Sequence, residues 1–261
     1  MRRYNKMAVK WERTCSWIVL GGILLIASLL TVGSLAAQEK VMNLETSAGP
    51  LRITGIGHGS LMLEFGDVLI HVDPYSGAGD YASLPKADQV WITHAHRDHL
   101  DPAAIDQIRK EGTLFVADPE SVEKLGDSRV IAMKNGDKRN IDGGIAIEAV
   151  PAYNLVRERQ PGVKFHPKGS GNGYVATFGD KRVYIAGDTE SNPGMSSLAP
   201  IDVAFIPIDG NYTMSPEEAV GCIKVISPRI VIPYHQFESD PNVVAELLKG
   251  SGIEVRVWAM P

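Results

Sequence analysis

Thr93-His94-Ala95-His96-Arg97-Asp98-His99-Leu100-Asp101 is the most informative stretch of this sequence. Four side chains that can bind a metal ion fall within six residues of it, directly after the apolar run Val90-Trp91-Ile92. Val90–Thr93 is predicted to form a buried strand, and Asp101-Pro102 is predicted to open a helix with Asp101 as its N-cap. The potential ligands therefore lie on a loop after a strand's carboxyl end, where α/β folds place their chemistry.

The spacing within this loop indicates two neighbouring metal positions. His94 and His96 are two residues apart on an extended chain, so both rings can point the same way. Asp98 and His99 follow where the chain turns and can face a second position. Imidazole and carboxylate without thiolate suit zinc, iron or manganese in a reactive site rather than a purely structural zinc. The alternative is a polar surface loop, the usual interpretation of a lone His-x-His, but the longer motif after a strand favours metal binding.

The N-terminus has the composition of a targeting segment. Residues 1–13 carry five basic side chains against one acidic one, and residues 16–37 are uncharged and mostly apolar. Ser34-Leu35-Ala36 supplies small residues at the two positions that a signal peptidase reads. We therefore expect residues 1–36 to be a signal peptide, with a catalytic body that is periplasmic or extracellular. The apolar run is also long enough to span a bilayer, so an uncleaved inner-membrane anchor over residues 14–37 is the alternative.

The charge of the remaining chain argues against nucleic acid as a partner. The whole chain has 26 Lys+Arg and 31 Asp+Glu, and removing residues 1–36 leaves 21 and 30, a net charge of about −9. Nucleic-acid binding needs a basic surface, which such a body lacks. The two cysteines, Cys15 and Cys222, are too few for a disulfide framework. Contact with a membrane is expected only through the N-terminal segment, and oligomeric state has no signal in the sequence.

The remainder is predicted to form a single domain. Residues 37–50 are polar and are predicted to be a linker or a first edge strand. In residues 51–261, strands dominate the start of each half and strand–helix alternation dominates its end. This pattern predicts an α/β fold with two sheets face to face and helices outside, a four-layer αββα sandwich. The polar, Gly/Pro-rich segment 151–173 is predicted to be a long functional loop.

Three further motifs follow the metal loop in a characteristic order. They are His166 in a glycine-rich segment, Gly187-Asp188-Thr189 after a strand, and Tyr234-His235 after another strand. This order and spacing resemble the metallo-β-lactamase superfamily from about residue 51 to residue 258. The segments Gly57–Ser60, 151–154, 165–169 and 186–189 resemble most the branch that contains ascorbate-phosphate lactonase-like and N-acyl-phosphatidylethanolamine phospholipase D-like proteins.

The resemblance implies a metallo-β-lactamase fold and a dinuclear metal site. By position, it implies that His94, His96 and His166 bind the first ion. It implies that Asp98, His99 and His235 bind the second ion and that Asp188 bridges the two. Two divalent ions are expected. Zinc is the expected metal for both, and manganese and iron are the alternatives. From the residues alone, His235 could be a core histidine and Asp188 a turn carboxylate, although both follow apolar strands as the metal loop does.

Five other residues have possible roles beside these ligands. His58 lies between two glycines and could act as a proton shuttle or substrate contact, or it could only hydrogen-bond a neighbouring loop. His71 alternates with apolar residues on a predicted strand and is expected to be structural. Asp73 is expected to brace the metal loop, as carboxylates behind ligand histidines do. Tyr153 and Asn154 could contact substrate or support a ligand.

These observations favour an exported metal-dependent hydrolase. Two divalent ions would lower the pKa of a shared water, and the resulting hydroxide would attack an ester, lactone, amide or phosphodiester bond. Asp98 could orient that hydroxide or receive its proton, so Asp98 and His58 are the candidate catalytic residues. The expected partner is a small-molecule or lipid-like substrate. The alternatives are a β-lactamase proper, whose family lacks the bridging carboxylate, and a non-catalytic exported metal-binding or interaction protein.

Overall fold

Residues 40–260 are described by the computed structural model, so the predicted targeting segment and Cys15 lie outside the described residues. The first seven strands are β1 (Val41–Thr46), β2 (Gly49–Gly57), β3 (Ser60–Phe65), β4 (Val68–Val72), β5 (Gln89–Ile92), β6 (Leu114–Ala117) and β7 (Val130–Ala132). The others are β8 (Lys138–Ile141), β9 (Ile145–Ala152), β10 (Glu158–Gln160), β11 (Val163–Lys164), β12 (Gly171–Phe178), β13 (Lys181–Ile185), β14 (Val203–Pro207), β15 (Ile230–Tyr234) and β16 (Glu254–Val255). The helices are α1 (Pro102–Ile108), α2 (Pro119–Leu125), α3 (Pro216–Ile226) and α4 (Asn242–Leu247), with short 3₁₀ helices at Tyr81–Ser83 and Pro193–Ser197.

Successive residues of the buried strands face opposite sides of their sheet, one side toward the central core and the other toward a helix. This gives the predicted four layers. On β5, Trp91 points into the core between the two sheets, while Val90 and Ile92 pack under α1. On β14, Phe205 enters the same central core, while Ala204 and Ile206 pack under α3. Strands buried on both faces are apolar throughout because each face meets another layer. The αββα sandwich predicted from the sequence is confirmed.

The sheet order brings the carboxyl ends of several parallel strands to one edge. The first sheet runs β1-β2-β3-β4-β5-β6-β7 and the second runs β16-β15-β14-β13-β12-β9-β8. Strands β4 to β7 are parallel to one another, as are strands β13 to β16. The loops after β4, β5, β13, β14 and β15 carry polar side chains and are drawn together at the seam between the sheets. No helix among the described residues is long and apolar enough to cross a membrane.

The segment predicted as a linker belongs to the first sheet for most of its length. Val41–Thr46 pairs antiparallel with β2, and the two strands are joined by a tight turn that ends at Gly49. Met42 and Leu44 on this edge strand are buried in the central core. The linker assignment is therefore wrong from Val41 onward, and the alternative of a first edge strand is correct. The domain begins about ten residues earlier than the predicted boundary at residue 51.

Two other segments differ from the sequence prediction. The predicted long loop 151–173 contains a small hairpin, because Glu158 pairs with Lys164 and Gln160 pairs with Val163. The sequence also predicts a last strand over residues 254–258, but only its first two residues are paired. Beyond them, the carbonyl of Trp258 accepts a hydrogen bond from the Gln236 side chain, so the chain leaves the sheet. The hairpin matters most because it lies beside the predicted metal ligands.

His71 is structural, as predicted, and should make stability depend on pH. Its ring is fully buried on β4, Nε2 donates to the Pro85 carbonyl at 3.1 Å, and burial lowers its pKa to about 4. Between pH 6.5 and 4 the unfolded chain binds a proton that the folded chain excludes, so folding stability falls as pH falls. His71→Gln should remove about 3 kcal/mol of this acid destabilisation between pH 7 and 4. Denaturant titrations of both proteins at several pH values test this, and parallel curves would contradict it.

Candidate metal centre

The metal loop is held at both of its ends. It leaves β5 at Ile92 and reaches α1, where the Asp101 side chain accepts a hydrogen bond from the Ala103 backbone as the predicted N-cap. The other oxygen of Asp101 accepts hydrogen bonds from the backbone and hydroxyl of Ser76. Capping of this kind satisfies backbone donors that a helix start leaves free. The loop between these anchors carries the ligand motif in a defined conformation.

Three histidine nitrogens meet at one point beside this loop. His96 Nδ1 lies 3.0 Å from His94 Nε2 and 3.2 Å from His166 Nε2. The opposite nitrogens have partners of their own, because His94 Nδ1 contacts the Thr93 hydroxyl and His166 Nδ1 donates to Asn154 Oδ1 at 2.7 Å. These partners leave the lone pairs of both Nε2 atoms facing His96, which can offer at most one proton. Such convergence of acceptors is suited to a cation.

A second group forms beside the first. His99 Nε2 and His235 Nε2 each lie 3.8 Å from Asp98 Oδ2, and both rings are almost completely buried. The two imidazoles are stacked with their centroids 5.4 Å apart. The structure thus brings together the three residues that the sequence placed around a second ion.

The carboxylate of Asp188 lies between the two groups. Its Oδ1 is 3.4 Å from His99 Nε2 and 3.4 Å from His235 Nε2. Its Oδ2 is 3.2 Å from His166 Nε2 and 3.9 Å from His94 Nε2. One oxygen therefore faces each histidine group, which is the arrangement that a bridging carboxylate requires.

The donor set fits divalent cations. Three buried atoms of the second group, His99 Nε2, His235 Nε2 and Asp188 Oδ1, have no hydrogen-bond partner. Buried polar atoms without partners are costly, and convergent ones indicate a ligand. Together the residues offer five imidazoles and two carboxylates, which are ligands preferred by zinc, iron and manganese. The seven predicted ligands are thus all present in one cluster.

Electrostatics keep the central carboxylate ionised. Burial opposes the charge of Asp188, but His235 and His99 outweigh it and hold the pKa of this carboxyl well below its usual range. Burial likewise opposes protonation of His235, but Asp188 raises its pKa to about 9. Burial, followed by the neighbouring His99, lowers the pKa of His94 well below its usual value. The site therefore concentrates negative charge at its centre and neutral imidazole at one side.

Asp73 braces the metal loop as the sequence predicted. Its Oδ1 accepts from the Thr93 backbone at 2.7 Å, and its Oδ2 accepts from the Thr93 hydroxyl at 2.6 Å and from His99 Nδ1 at 2.8 Å. Through the Thr93 hydroxyl the same carboxylate also orients His94. Such partners fix the tautomer and the direction of a ligand imidazole. One buried carboxylate therefore orients one histidine in each group.

Asp209 is a supporting residue that sequence reasoning missed. It follows β14, and its Oδ2 lies 3.3 Å from His235 Nδ1 while accepting the Thr213 hydroxyl at 2.5 Å. Three backbone N–H groups also point at its Oδ1. A carboxylate directly after an apolar strand was the available signal, as for Asp188, but the adjacent Gly210 also suits an ordinary turn.

His58 lies against the second group and contacts Asp98 directly. Its Nε2 is 3.0 Å from Asp98 Oδ2, and its ring is 3.9 Å from that of His235 between centroids. Its backbone has φ of 53°, and the carbonyl of this strained residue accepts from the His235 backbone. Burial lowers the pKa of His58, although Asp98 raises it in part. The predicted catalytic pair is thus in contact at the edge of the metal cluster.

A cavity of about 400 Å³ opens onto the cluster. Three aromatic rings form a continuous row along it, because Phe165 packs edge-on against Tyr212 and Tyr212 packs against Phe237. Phe237 then reaches His58, with 5.0 Å between ring centroids. Arg97 and Arg159 line the same cavity. Of these six residues the sequence analysis gave a role only to His58, since aromatic and basic residues outside long strands and helices have no periodic signal.

Comparison with known proteins agrees with this geometry. The family model of the beta-lactamase superfamily domain matches residues 52–235. A metal-dependent hydrolase of Thermococcus kodakarensis, in the group UPF0173, is 32% identical over 197 residues, which cover 71% of this chain and 84% of the relative. A group member from Enterococcus faecalis is 29% identical and is covered over 96% of its length.

Comparison with solved structures also gives metal-dependent hydrolases as similar proteins. A crystal structure from Parabacteroides distasonis, assigned as a metal-dependent hydrolase, has a TM-score of 0.80 and 42% identity, covering 85% of this chain and all of that one. The metallo hydrolase Igni18 of Ignicoccus hospitalis has a TM-score of 0.66 and 28% identity over 80% of this chain and 95% of its own. The resemblance to the lactonase-like and phospholipase D-like branch stays a prediction. At the level of the superfamily, fold, ligand cluster and relatives agree that this chain is a metal-dependent hydrolase of the metallo-β-lactamase superfamily.

Proposed function

We propose that this chain is an exported hydrolase with a dinuclear metal site, which cleaves an ester, lactone, amide or phosphodiester bond. His94, His96 and His166 would hold one ion, and Asp98, His99 and His235 would hold the other. The observation that carries the proposal is the position of Asp188, whose two oxygens face the two histidine groups separately. A carboxylate placed in this way can bind an ion in each group at the same time.

The ions, when bound, would supply Lewis acidity that lowers the pKa of water toward neutrality and stabilises developing negative charge. The protein's own contribution is orientation and proton transfer. Asp73, Thr93 and Asn154 hold three of the imidazoles with their free nitrogens toward the centre. Asp98 Oδ2 and His58 Nε2 form a 3.0 Å pair that can take up a proton at the carboxylate and pass it to the ring.

Export is supported by the N-terminal segment, which is basic over residues 1–13 and then uncharged and mostly apolar over residues 16–37. Expression of the full chain in a bacterial host, followed by fractionation and N-terminal sequencing, tests this part. Recovery outside the cytoplasm with Ala37 as first residue supports a cleaved signal peptide. Recovery in the inner membrane with an intact N-terminus supports the anchor, and recovery in the cytoplasm contradicts export.

Metal content tests the dinuclear site. Elemental mass spectrometry of the purified full chain should give about two equivalents of divalent metal per chain. A value near zero that does not rise on adding zinc or manganese would contradict the proposal and favour a non-catalytic interaction protein. A panel of lactones, phosphodiesters and lipid amides then identifies the bond. Nitrocefin belongs in the panel, because clear turnover of it would favour a β-lactamase proper.

His58→Asn tests the proton path. Asparagine is the suitable replacement because it tolerates positive φ and keeps the backbone carbonyl that accepts from His235. We expect kcat on whichever substrate is turned over to fall about 100-fold, since general acid–base groups contribute on this scale. Metal content should stay at the wild-type value. Unchanged kcat would show that His58 only holds the neighbouring loop.

A further inference from the structure

Arg159 stands out among the residues around the metal cluster. It lies on the small hairpin β10–β11, which the sequence analysis did not predict, and it is exposed. Its Nη2 lies 3.1 Å from His96 Nε2, the nitrogen that faces away from the other histidines. No carboxylate of the described residues lies within ion-pair distance of its guanidinium, whereas Arg157 nearby is paired with both Glu190 and Glu218.

The contact between Arg159 and His96 depends on which ring nitrogen carries the proton. His96 Nε2 can accept a hydrogen bond only if the proton is on Nδ1, the nitrogen that faces His94 and His166. A cation bound at Nδ1 would leave the proton on Nε2. Two donors do not bond to each other, so the guanidinium of Arg159 would then be free for another acceptor.

The surroundings of Arg159 indicate what that acceptor would be. It lines the 400 Å³ cavity together with Arg97, and it also lines an adjoining cavity of about 220 Å³ with Lys164 and Ser170. Carboxylates line these cavities as well, namely Asp98, Asp188 and Glu120, and Lys164 is paired with Glu158. Among the described residues that line them, Arg97 and Arg159 are the arginines, and neither forms an ion pair with a carboxylate of the described chain. Planar guanidinium groups recognise carboxylate and phosphate with paired hydrogen bonds.

The row of aromatic rings is the second feature of the cavity that bears on which substrate it can bind. Phe165, Tyr212 and Phe237 form one wall that leads to His58, and Tyr212 and Phe237 are 40% and 41% exposed. Exposed aromatic rings at a cavity mouth offer apolar contact area to a ligand. We propose that Arg159 binds substrate, and that the substrate carries an anionic group, a carboxylate or a phosphate, beside an apolar or aromatic group. This inference rests on the proposed function.

Binding of phenylphosphonate, which joins an anion to a ring and is not hydrolysed, tests the inference on the zinc-loaded full chain by calorimetry. Arg159→Gln should weaken binding about 10- to 100-fold, the range of a charge-assisted hydrogen bond. Arg139→Gln, a matched loss of an exposed arginine on β8, should leave it unchanged. Methylphosphonate should bind wild type about 10-fold more weakly than phenylphosphonate, because it lacks the ring.

Metal content of each variant separates this inference from the proposed function. A chain without metal would contradict the dinuclear site, whatever Arg159 does. A chain with two equivalents of metal whose R159Q variant binds phenylphosphonate as wild type does would overturn the role of Arg159 alone. Loss of metal in R159Q would also overturn it, because Arg159 would then act by holding His96. Absence of phenylphosphonate binding to wild type would overturn it too.

Discussion

Asp188→Asn is expected to lower turnover by on the order of 1000-fold or more, the largest effect of any substitution proposed for this protein. The amide has the size of the carboxylate but lacks its charge and replaces one oxygen by an N–H donor. That donor would face His99 and His235, or His166 and His94, whose free nitrogens need a cation. Metal content should fall below two equivalents per chain.

Asp67→Asn is the matched control, because Asp67 is an exposed carboxylate in the turn between β3 and β4. It should keep wild-type metal content and turnover. Both quantities are measured on proteins purified in parallel, by elemental mass spectrometry and by steady-state kinetics. Full activity of D188N would contradict the bridging role, and retention of two ions with lost activity would restrict that role to chemistry rather than binding.

Asp73→Asn is expected to have the second-largest effect, acting on stability and on metal affinity together. Three donors point at this fully buried carboxylate, namely Thr93 N–H, the Thr93 hydroxyl and His99 Nδ1–H. Asparagine tolerates the φ of 45° at this position, but its amide nitrogen would confront at least one donor. We expect a loss of about 3 kcal/mol in the free energy of unfolding. Metal affinity should fall 10- to 100-fold.

Chemical denaturation and competition with a chelator measure the two effects separately. Asp67→Asn again serves as control and should change neither quantity. Loss of stability with unchanged metal affinity would show that Asp73 supports the fold of the loop without orienting His99. Unchanged stability with lower metal affinity would show that Asp73 orients His99, and that the sheet holds Thr93 in place without it.

Most of the ligand cluster was predictable because its residues carry two coincident signals, whereas His166, which follows a two-residue hairpin strand, was implied only by the family resemblance. His235 and Asp188 each combine a metal-binding side chain with a position after an apolar parallel strand, and the metal loop repeats this pattern. Since parallel strands place their carboxyl ends at one edge, the residues had to approach each other once the sheets were recognised. The sequence also predicts strands over residues 60–65, 68–72 and 114–117, and β3, β4 and β6 have these bounds because their apolar runs stop at clear turns.

Three other features could not be predicted with the same clarity, namely the hairpin strand at residues 158–160, the role of Asp209 and the first edge strand. Their sequence signals are weak or shared with ordinary loops. Glu158, Arg159 and Gln160 form a strand whose residues are all exposed, so it has no alternation of polar and apolar residues. Asp209 looks like a turn residue before glycine. The edge strand Val41–Thr46 alternates polar and apolar residues as strands do, but it is short and lies in a polar segment, so the sequence left a linker and an edge strand both open. In each case long-range contacts, rather than local pattern, determine the role.

The seam between the sheets has a consequence for how the protein acquires its ions. The metal loop comes from the first sheet, whereas Asp188 and His235 come from the second, so neither half of the chain carries a complete ligand set. On the proposed metal site, ions would be selected only where the two halves assemble, because the unfolded chain has no preformed site. On the proposed export route, a chain that folds after crossing the membrane fills its site from the metal pool outside the cytoplasm, and that pool sets the metal's identity.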